Sequence, residues 1–121
     1  MIKGLDHVVM YCTDAEASRA WYDAAGFEYL RGQHGMHWFA LGTSEVMLHP
    51  STEGPAGHSQ NLAAAVTDID AQFAAAVAKG LTPFDHQQPG VHLTKPITRP
   101  WGDRVFELTD PNGYIWSFVQ R

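Results

Sequence analysis

The sequence repeats one local pattern at an offset of 54 residues. Cys12-Thr13-Asp14 near the start of the chain recurs as Val66-Thr67-Asp68. Each copy follows a short apolar run, places Thr-Asp at the start of a helical pattern, and reaches a glycine where that pattern ends, Gly26 or Gly80. A duplicated strand-then-helix unit builds two equivalent half-sites, so the functional site is expected between the two copies.

The 121 residues correspond to one domain with two modules, 1–50 and 61–121, and a linker at 51–60. The linker is rich in Ser, Gly and Pro. A module of roughly 60 residues would be only marginally stable alone. The modules are therefore expected to pack on each other or on a second chain.

The charge balance is acidic. Thirteen acidic residues against eight Lys and Arg give a net charge of −5, and the basic residues form no run. Phosphate-backbone binding needs a clustered cationic surface, so a nucleic-acid partner is not expected. The negative net charge instead favours a cationic small molecule as the ligand.

The sequence also predicts a cytoplasmic protein that does not associate with membranes. No stretch approaches about 18 apolar residues, and the N-terminus lacks the apolar core of a signal peptide. The single cysteine, Cys12, excludes an internal disulfide and fits a reducing compartment. Cys12 is expected to be a buried small side chain.

Two amphipathic helices are the clearest local prediction. Thr13 and Glu16 have the spacing of a capping box at the start of a helix over about 14–25. The apolar face of this helix is predicted from the spacing of Ala17, Trp21, Ala24 and Ala25, with Tyr22 also in the core. In the second copy Thr67 is the predicted cap, and the apolar face comprises Ile69, Phe73, Ala76 and Val77.

Eight strand candidates surround the helices and give the order βαβββ twice. They are His7–Tyr11, Phe27–Arg31, His37–Leu41, Val46–His49, Leu62–Val66, Thr82–His86, Val105–Thr109 and Tyr114–Val119. Residues 110–113, Asp-Pro-Asn-Gly, predict a tight turn before the last strand. Residues 87–102 contain three prolines, which argues against a central strand and favours a flap over a cleft.

The stretches "AWYDAAGFEYL" and "WGDRVFELTDPNGYIWSF" resemble the vicinal oxygen chelate superfamily. This superfamily includes glyoxalase I, extradiol dioxygenases, fosfomycin-resistance enzymes and bleomycin-resistance proteins. The resemblance covers the whole chain and is closest in pattern to the non-metal, bleomycin-resistance branch. It implies an α+β fold in which two βαβββ modules form curved, partly open sheets, completed across a homodimer.

Metal enzymes of this superfamily take ligands from the first and last strands of each module. The resemblance places those positions at His7, His49, Asn61 and Ser117. Asn and Ser lack the imidazole or carboxylate donors that divalent sites use, so no cofactor is expected. The alternative is an ion such as Zn, Ni, Mn or Fe held by His7 and His49, with a third donor from His58, His92 or Glu107.

The resemblance and the aromatic residues together predict a small-molecule site. Trp101, which follows the proline-rich segment, is the best candidate for stacking on a flat ligand, with Trp38 or Phe39 on the wall. Glu107 would select a positive group. His7, His49, Asn61 and Ser117 would form the floor. Two hypotheses remain open: a non-catalytic protein that sequesters a flat, cationic antibiotic or metabolite, and a metal-dependent lyase, isomerase or oxygenase.

Overall fold

A computed structural model describes residues 1–52 and 61–121, with Asn61 described by its backbone alone. Most of the predicted linker, including His58, lies outside the described residues. The elements follow the predicted order βαβββ twice. They are β1 His7–Cys12, α1 Ala15–Ala24, β2 Tyr29–Gln33, β3 Met36–Leu41, β4 Ser44–Pro50, β5 Asn61–Ala65, α2 Ile69–Ala78, β6 Ile97–Thr98, β7 Arg104–Thr109 and β8 Ile115–Gln120.

Each module forms one mixed four-stranded sheet. The strand orders are β1-β4-β3-β2 in the first module and β5-β8-β7-β6 in the second. In both, the first strand runs parallel to the last, and the remaining pairs are antiparallel. The α+β class predicted from the sequence is therefore confirmed, and the 54-residue repeat corresponds to a repeat of topology.

Both helices begin one residue later than predicted. Asp14 and Asp68 are the N-caps, and their carboxylates accept hydrogen bonds from the backbone N–H of Ala17 and Ala71 at 3.0 and 3.1 Å. The predicted caps Thr13 and Thr67 are wrong, because a carboxylate in the position before the helix reaches the N3 amide directly. Gly26 does end the first helix, at φ +98°, as its position predicts.

The buried faces of the helices follow from this shift. On α1 the buried helical residues are Ser18 and Tyr22, one position beyond the predicted Ala17 and Trp21. On α2 the prediction holds for Ile69, Phe73 and Ala76, whereas Val77 is exposed.

The sixth predicted strand, Thr82–His86, reduces to isolated bridges at Phe84. Phe84 exchanges backbone hydrogen bonds with Glu107 at 3.0 and 2.9 Å, so this segment lies along the edge of β7. The short strand β6 was not predicted and falls within the proline-rich segment, at the sheet edge where proline is tolerated. The predicted turn at 110–113 is confirmed by the hydrogen bond from Gly113 N–H to the Asp110 carbonyl, 3.0 Å.

One apolar core joins the two modules. The Phe27 and Trp116 rings, from different modules, meet edge to face with centroids 4.9 Å apart. Beside them, Trp116 Nε1–H donates to Tyr22 Oη at 3.0 Å, and Tyr22 Oη donates to the Asp110 carboxylate at 2.7 Å. Cys12 is buried, as predicted, and burial raises the pKa of its thiol. Neither described helix has the length and apolarity needed to cross a membrane.

Candidate functional site

Strand alternation gives each sheet a face packed on the core and an opposite face that is open. In the first sheet, Met10, Val46 and Leu48 are buried in the core. Their neighbours along the strands point the other way. The open face of the first sheet comprises His7, Val9, Tyr11, Trp38, Glu45, Met47 and His49, none of which is fully buried.

His7 and His49 share this open face but lie apart on it. In the parallel β1/β4 pair, His7 is opposite Glu45, and His49 is opposite Tyr11, with ring centroids 5.5 Å apart. Four residues along a strand correspond to about 13 Å. The structure therefore brings His49 to Tyr11 and leaves His7 beside Asp6, whose carboxylate is 2.8 Å from Nδ1. The two histidines of one chain do not converge.

The strand register also shows which residues of the two modules are equivalent. Val9 pairs with Met47, and Ala63, 54 residues after Val9, pairs with Ser117. The counterpart of Ser117 is therefore Met47, and His49 corresponds to Val119. The sequence analysis places the last-strand position of the first module at His49, which is two residues away from the position that the register gives, Met47. The symmetry-related set becomes His7, Met47, Asn61 and Ser117.

Trp38 and Phe39 point in opposite directions. Phe39 is fully buried, against Tyr22 and Tyr29, so its predicted place on a ligand wall is wrong. Trp38 lies on the open face beside Met47. The Arg31 guanidinium lies over the Trp38 ring at 4.8 Å and makes two hydrogen bonds to Glu45. Arg31 thereby covers one side of the ring.

The open face of the second sheet carries a buried carboxylate. Glu107 pairs with Ser117 across β7 and β8, on the face opposite Phe106 and Phe118, which pack in the core. Although it lies on the open side, Glu107 is only 1% exposed, because the segment that bridges to β7 at Phe84 covers it.

Three donors hold the Glu107 carboxylate. Oε1 accepts from the backbone N–H of His86 at 2.8 Å and lies 2.6 Å from His86 Nδ1, while Oε2 accepts from Ser117 Oγ at 3.2 Å. The sequence predicts a role for Glu107 and Ser117 but names His86 only as the end of a strand candidate. The sequence did contain a sign of this contact. Glu107 lies between the core residues Phe106 and Leu108, and a carboxylate that is buried there requires a hydrogen-bonding partner. The identity of the partner depends on the fold.

Asp85 completes a group of three side chains of the types that bind metals. Among the described residues, donor atoms of Asp85, His86 and Glu107 lie within 4.8 Å of one another. However, Asp85 is buried and accepts two hydrogen bonds from the Arg99 guanidinium, at 2.9 and 3.2 Å. Burial alone would raise the pKa of Asp85, but Arg99 and the backbone N–H of Gln87 outweigh it and hold the pKa below its ordinary value. The guanidinium neutralises Asp85 and would repel an added cation.

Trp101 is the most exposed tryptophan among the described residues, at 69%. It lies in the turn that joins β6 to β7, where Arg99 N–H donates to the Asp103 carbonyl at 2.7 Å. The turn places Trp101 outside both sheets and away from the core. Asn61 pairs with Ile115 by its backbone; its side chain is outside the described residues.

The side chains at the symmetry-related positions do not fit a divalent metal. Of the three that are described, His7 is an imidazole, Met47 a thioether and Ser117 a hydroxyl that donates to Glu107. Asn61 adds only an amide in the sequence. Catalytic divalent sites use about three imidazole or carboxylate ligands, and this set contains one.

Comparisons with known proteins agree on the family. The model of the Glyoxalase/Bleomycin resistance protein/Dioxygenase superfamily matches residues 4–118. A glyoxalase family protein from Bacillus anthracis is 22% identical, with a TM-score of 0.75 over 100% of this chain and 97% of that chain. TioX from Micromonospora sp. ML1 is 22% identical, with a TM-score of 0.71 over 97% and 98%.

Lactoylglutathione lyase from Agrobacterium tumefaciens is 15% identical, with a TM-score of 0.70 over 98% of this chain and 94% of that chain. At these identities the solved structures show a common fold. No curated protein matches the chain.

Proposed function

Because the chain belongs to the Glyoxalase/Bleomycin resistance protein/Dioxygenase superfamily, we propose that it binds a flat, cationic small molecule, an antibiotic or a metabolite. The ligand would occupy a cleft between two chains, formed by the open face of the first sheet of one chain and the open face of the second sheet of its partner. Binding in this cleft sequesters the ligand and requires no metal.

The observation that carries this proposal is the set of side chains at the symmetry-related positions. A lyase or oxygenase that used a divalent ion there would need donors that His7, Met47 and Ser117 do not provide. The alternative pair, His7 and His49, is separated by four residues of strand. The Met47 thioether and the Tyr11 and Trp38 rings on the same face do suit a binding surface, because thioether and aromatic groups adapt to flat apolar ligands.

Charge supports a cationic ligand. The chain carries a net charge of −5, and the Glu107 carboxylate lies on the open side of the second sheet without a Lys or Arg partner among the described residues. A positive group near Glu107 would be favoured, and more strongly at low salt.

The cleft requires a second chain. Tyr11 is 48% exposed on the open face of the first sheet, and Ala63 and Ala65 are exposed on that of the second. The contacts between the modules run through the helices and the core face, so the open faces of one chain do not cover each other. A homodimer that apposes these faces would close two equivalent clefts.

Substitution of Trp101 tests the proposal. Fluorescence titration of the protein with bleomycin and with a panel of flat cationic compounds should identify a binder, and Trp101→Ala should weaken its affinity about tenfold, which is ~1.4 kcal/mol. Trp101→Phe should retain most of the affinity, because a smaller ring still stacks. Thermal stability should stay unchanged, since Trp101 makes no core contact.

Val91→Ala is the matched control, because Val91 is another exposed apolar residue of the segment between α2 and β7. It should leave the affinity unaltered. Equal affinity of the Trp101→Ala variant and the unmodified protein would remove the stacking role. Failure of every flat cationic compound to bind, together with turnover that depends on an added divalent ion, would favour the enzyme hypothesis.

A further inference from the structure

We propose that His86 and Glu107 form a metal-independent proton-abstracting dyad, with His86 Nε2 as the general base. The site would act on a small molecule that has an acidic C–H next to a carbonyl or imine carbon. Such an activity goes beyond ligand sequestration.

The first element of the argument is the contact that orients His86. Its Nδ1 lies 2.6 Å from Glu107 Oε1, and an ionised carboxylate can only accept, so Nδ1 carries the proton. A neutral ring then has its lone pair on Nε2. A buried carboxylate that fixes the tautomer and stabilises the imidazolium is the arrangement that activates histidine in hydrolytic triads.

The second element is that the carboxylate is itself held in place. The backbone N–H of His86 and the hydroxyl of Ser117 both donate to Glu107, and the antiparallel register fixes Glu107 opposite Ser117. Because Glu107 is almost completely buried, its negative charge acts on the imidazole through a medium that screens weakly. No Lys or Arg among the described residues bonds to Glu107 and competes for this charge.

The third element is access. The His86 side chain is 50% exposed, and none of the hydrogen bonds of the described residues involves its Nε2. A substrate on the open side of the second sheet can therefore reach this nitrogen, while the partner carboxylate stays shielded.

The chemistry needs no co-reactant. Nε2 takes the proton from carbon, so a C–H bond breaks and an N–H bond forms, and the electron pair moves into the adjacent carbonyl or imine as an enolate or its nitrogen analogue. Where a C=C bond adjoins the carbon that loses the proton, the anion is a conjugated dienolate, and return of the proton from the imidazolium to its γ-carbon completes an isomerisation of the double bond. Glu107 stabilises the transient imidazolium.

The competing interpretation of the cluster is a metal site made by Asp85, His86 and Glu107. It is disfavoured because Nδ1 is the nitrogen that faces the carboxylates and is already engaged. The Arg99 guanidinium also occupies both oxygens of Asp85. The two interpretations differ in their response to chelators.

A probe of general bases tests the dyad without knowledge of the natural substrate. In 5-nitrobenzisoxazole, a base removes the ring C–H, the N–O bond breaks and a coloured cyanophenolate is released. The protein, treated with EDTA, should accelerate this reaction at least about tenfold over the same concentration of free imidazole. His86→Gln should lose the acceleration, and Glu107→Gln should reduce it about tenfold while preserving the size of the side chain.

His92→Gln is the control, because His92 is an exposed histidine in the same segment, and it should react like the unmodified protein. Circular dichroism and thermal unfolding of each variant separate loss of activity from loss of fold. An equal rate for His86→Gln and the unmodified protein would overturn the proposal, as would activity abolished by EDTA and restored by a divalent ion. Because the dyad lies within one chain, the outcome does not depend on dimer formation or on Trp101.

Discussion

At the scale of single residues, Tyr22 links the two modules through hydrogen bonds in the core. Its hydroxyl donates to Asp110 and accepts from Trp116 Nε1–H, and burial followed by the Asp110 charge raises the pKa of Tyr22 so that it remains a donor. If the Tyr22 hydroxyl were removed, Asp110 would still accept hydrogen bonds from the backbone N–H groups of Asn112 and Tyr114. Among the hydrogen bonds of the described residues, Trp116 Nε1–H donates only to Tyr22.

Tyr22→Phe should therefore lower the free energy of unfolding by ~1–3 kcal/mol, the usual cost of a buried polar group left without a partner. Urea titration followed by tryptophan fluorescence measures the change. Tyr11→Phe removes a hydroxyl from the half-exposed residue of the open face and should change stability by less than ~0.5 kcal/mol. Equal stability of the two variants would show that the Tyr22 contacts contribute nothing.

At the scale of elements, an ion pair joins two distant residues of the segment between α2 and β7. Asp85 lies just before the proline-rich residues 87–102, and Arg99 lies near the end of that segment. The two hydrogen bonds that Arg99 donates to Asp85 close the segment into a loop. The pKa of Asp85 is lowered in the folded state. The pair therefore stabilises the fold above the ordinary aspartate pKa, about 3.9, and its contribution is lost as the pH falls through the folded pKa.

Asp85→Asn should make the protein less stable at neutral pH and should flatten the decline of its unfolding free energy below about pH 4. Thermal unfolding across that pH range provides the measurement. Asp70→Asn is the comparison: the pKa of Asp70 is also lowered by hydrogen bonds from Arg104, but that pair is exposed and screened by water. Asp70→Asn should therefore change the slope less. If the unfolding free energy of Asp85→Asn declined at low pH as steeply as that of the unmodified protein, the buried pair would not be the cause of the decline.

At the scale of the whole molecule, the two modules share one core, while residues of both open faces, Tyr11 and Ala63 among them, stay exposed. Tyr11 and Trp38 contribute aromatic surface to the open face of the first sheet. Partly exposed aromatic side chains on one face of a sheet are typical of a protein interface or a ligand cleft. The protein should sediment as a dimer at micromolar concentration. A monomer under those conditions would contradict the shared cleft, although the His86 dyad of each chain would still be testable.

The sequence by itself determined the repeat, the βαβββ order and the glycines at which the helical patterns end; it placed the helix starts one residue too early. These features depend on local periods and on residues such as Gly26, whose positive φ suits glycine at a helix end. Alternation along β3 also determined that Trp38 and Phe39 face opposite ways. It did not determine which of them faces the core, because that depends on which face of the sheet the helix covers.

The tertiary structure decided everything that depends on pairing between distant segments. The register of β4 against β1 made Met47, rather than His49, the counterpart of Ser117, and a strand shifted by two residues would present the same alternation. The contact between His86 and Glu107 spans 21 residues, and Arg99 reaches Asp85 across 14. Sequence patterns show which residues of one strand share a face; only the packing of one strand on another gives their neighbours across the sheet.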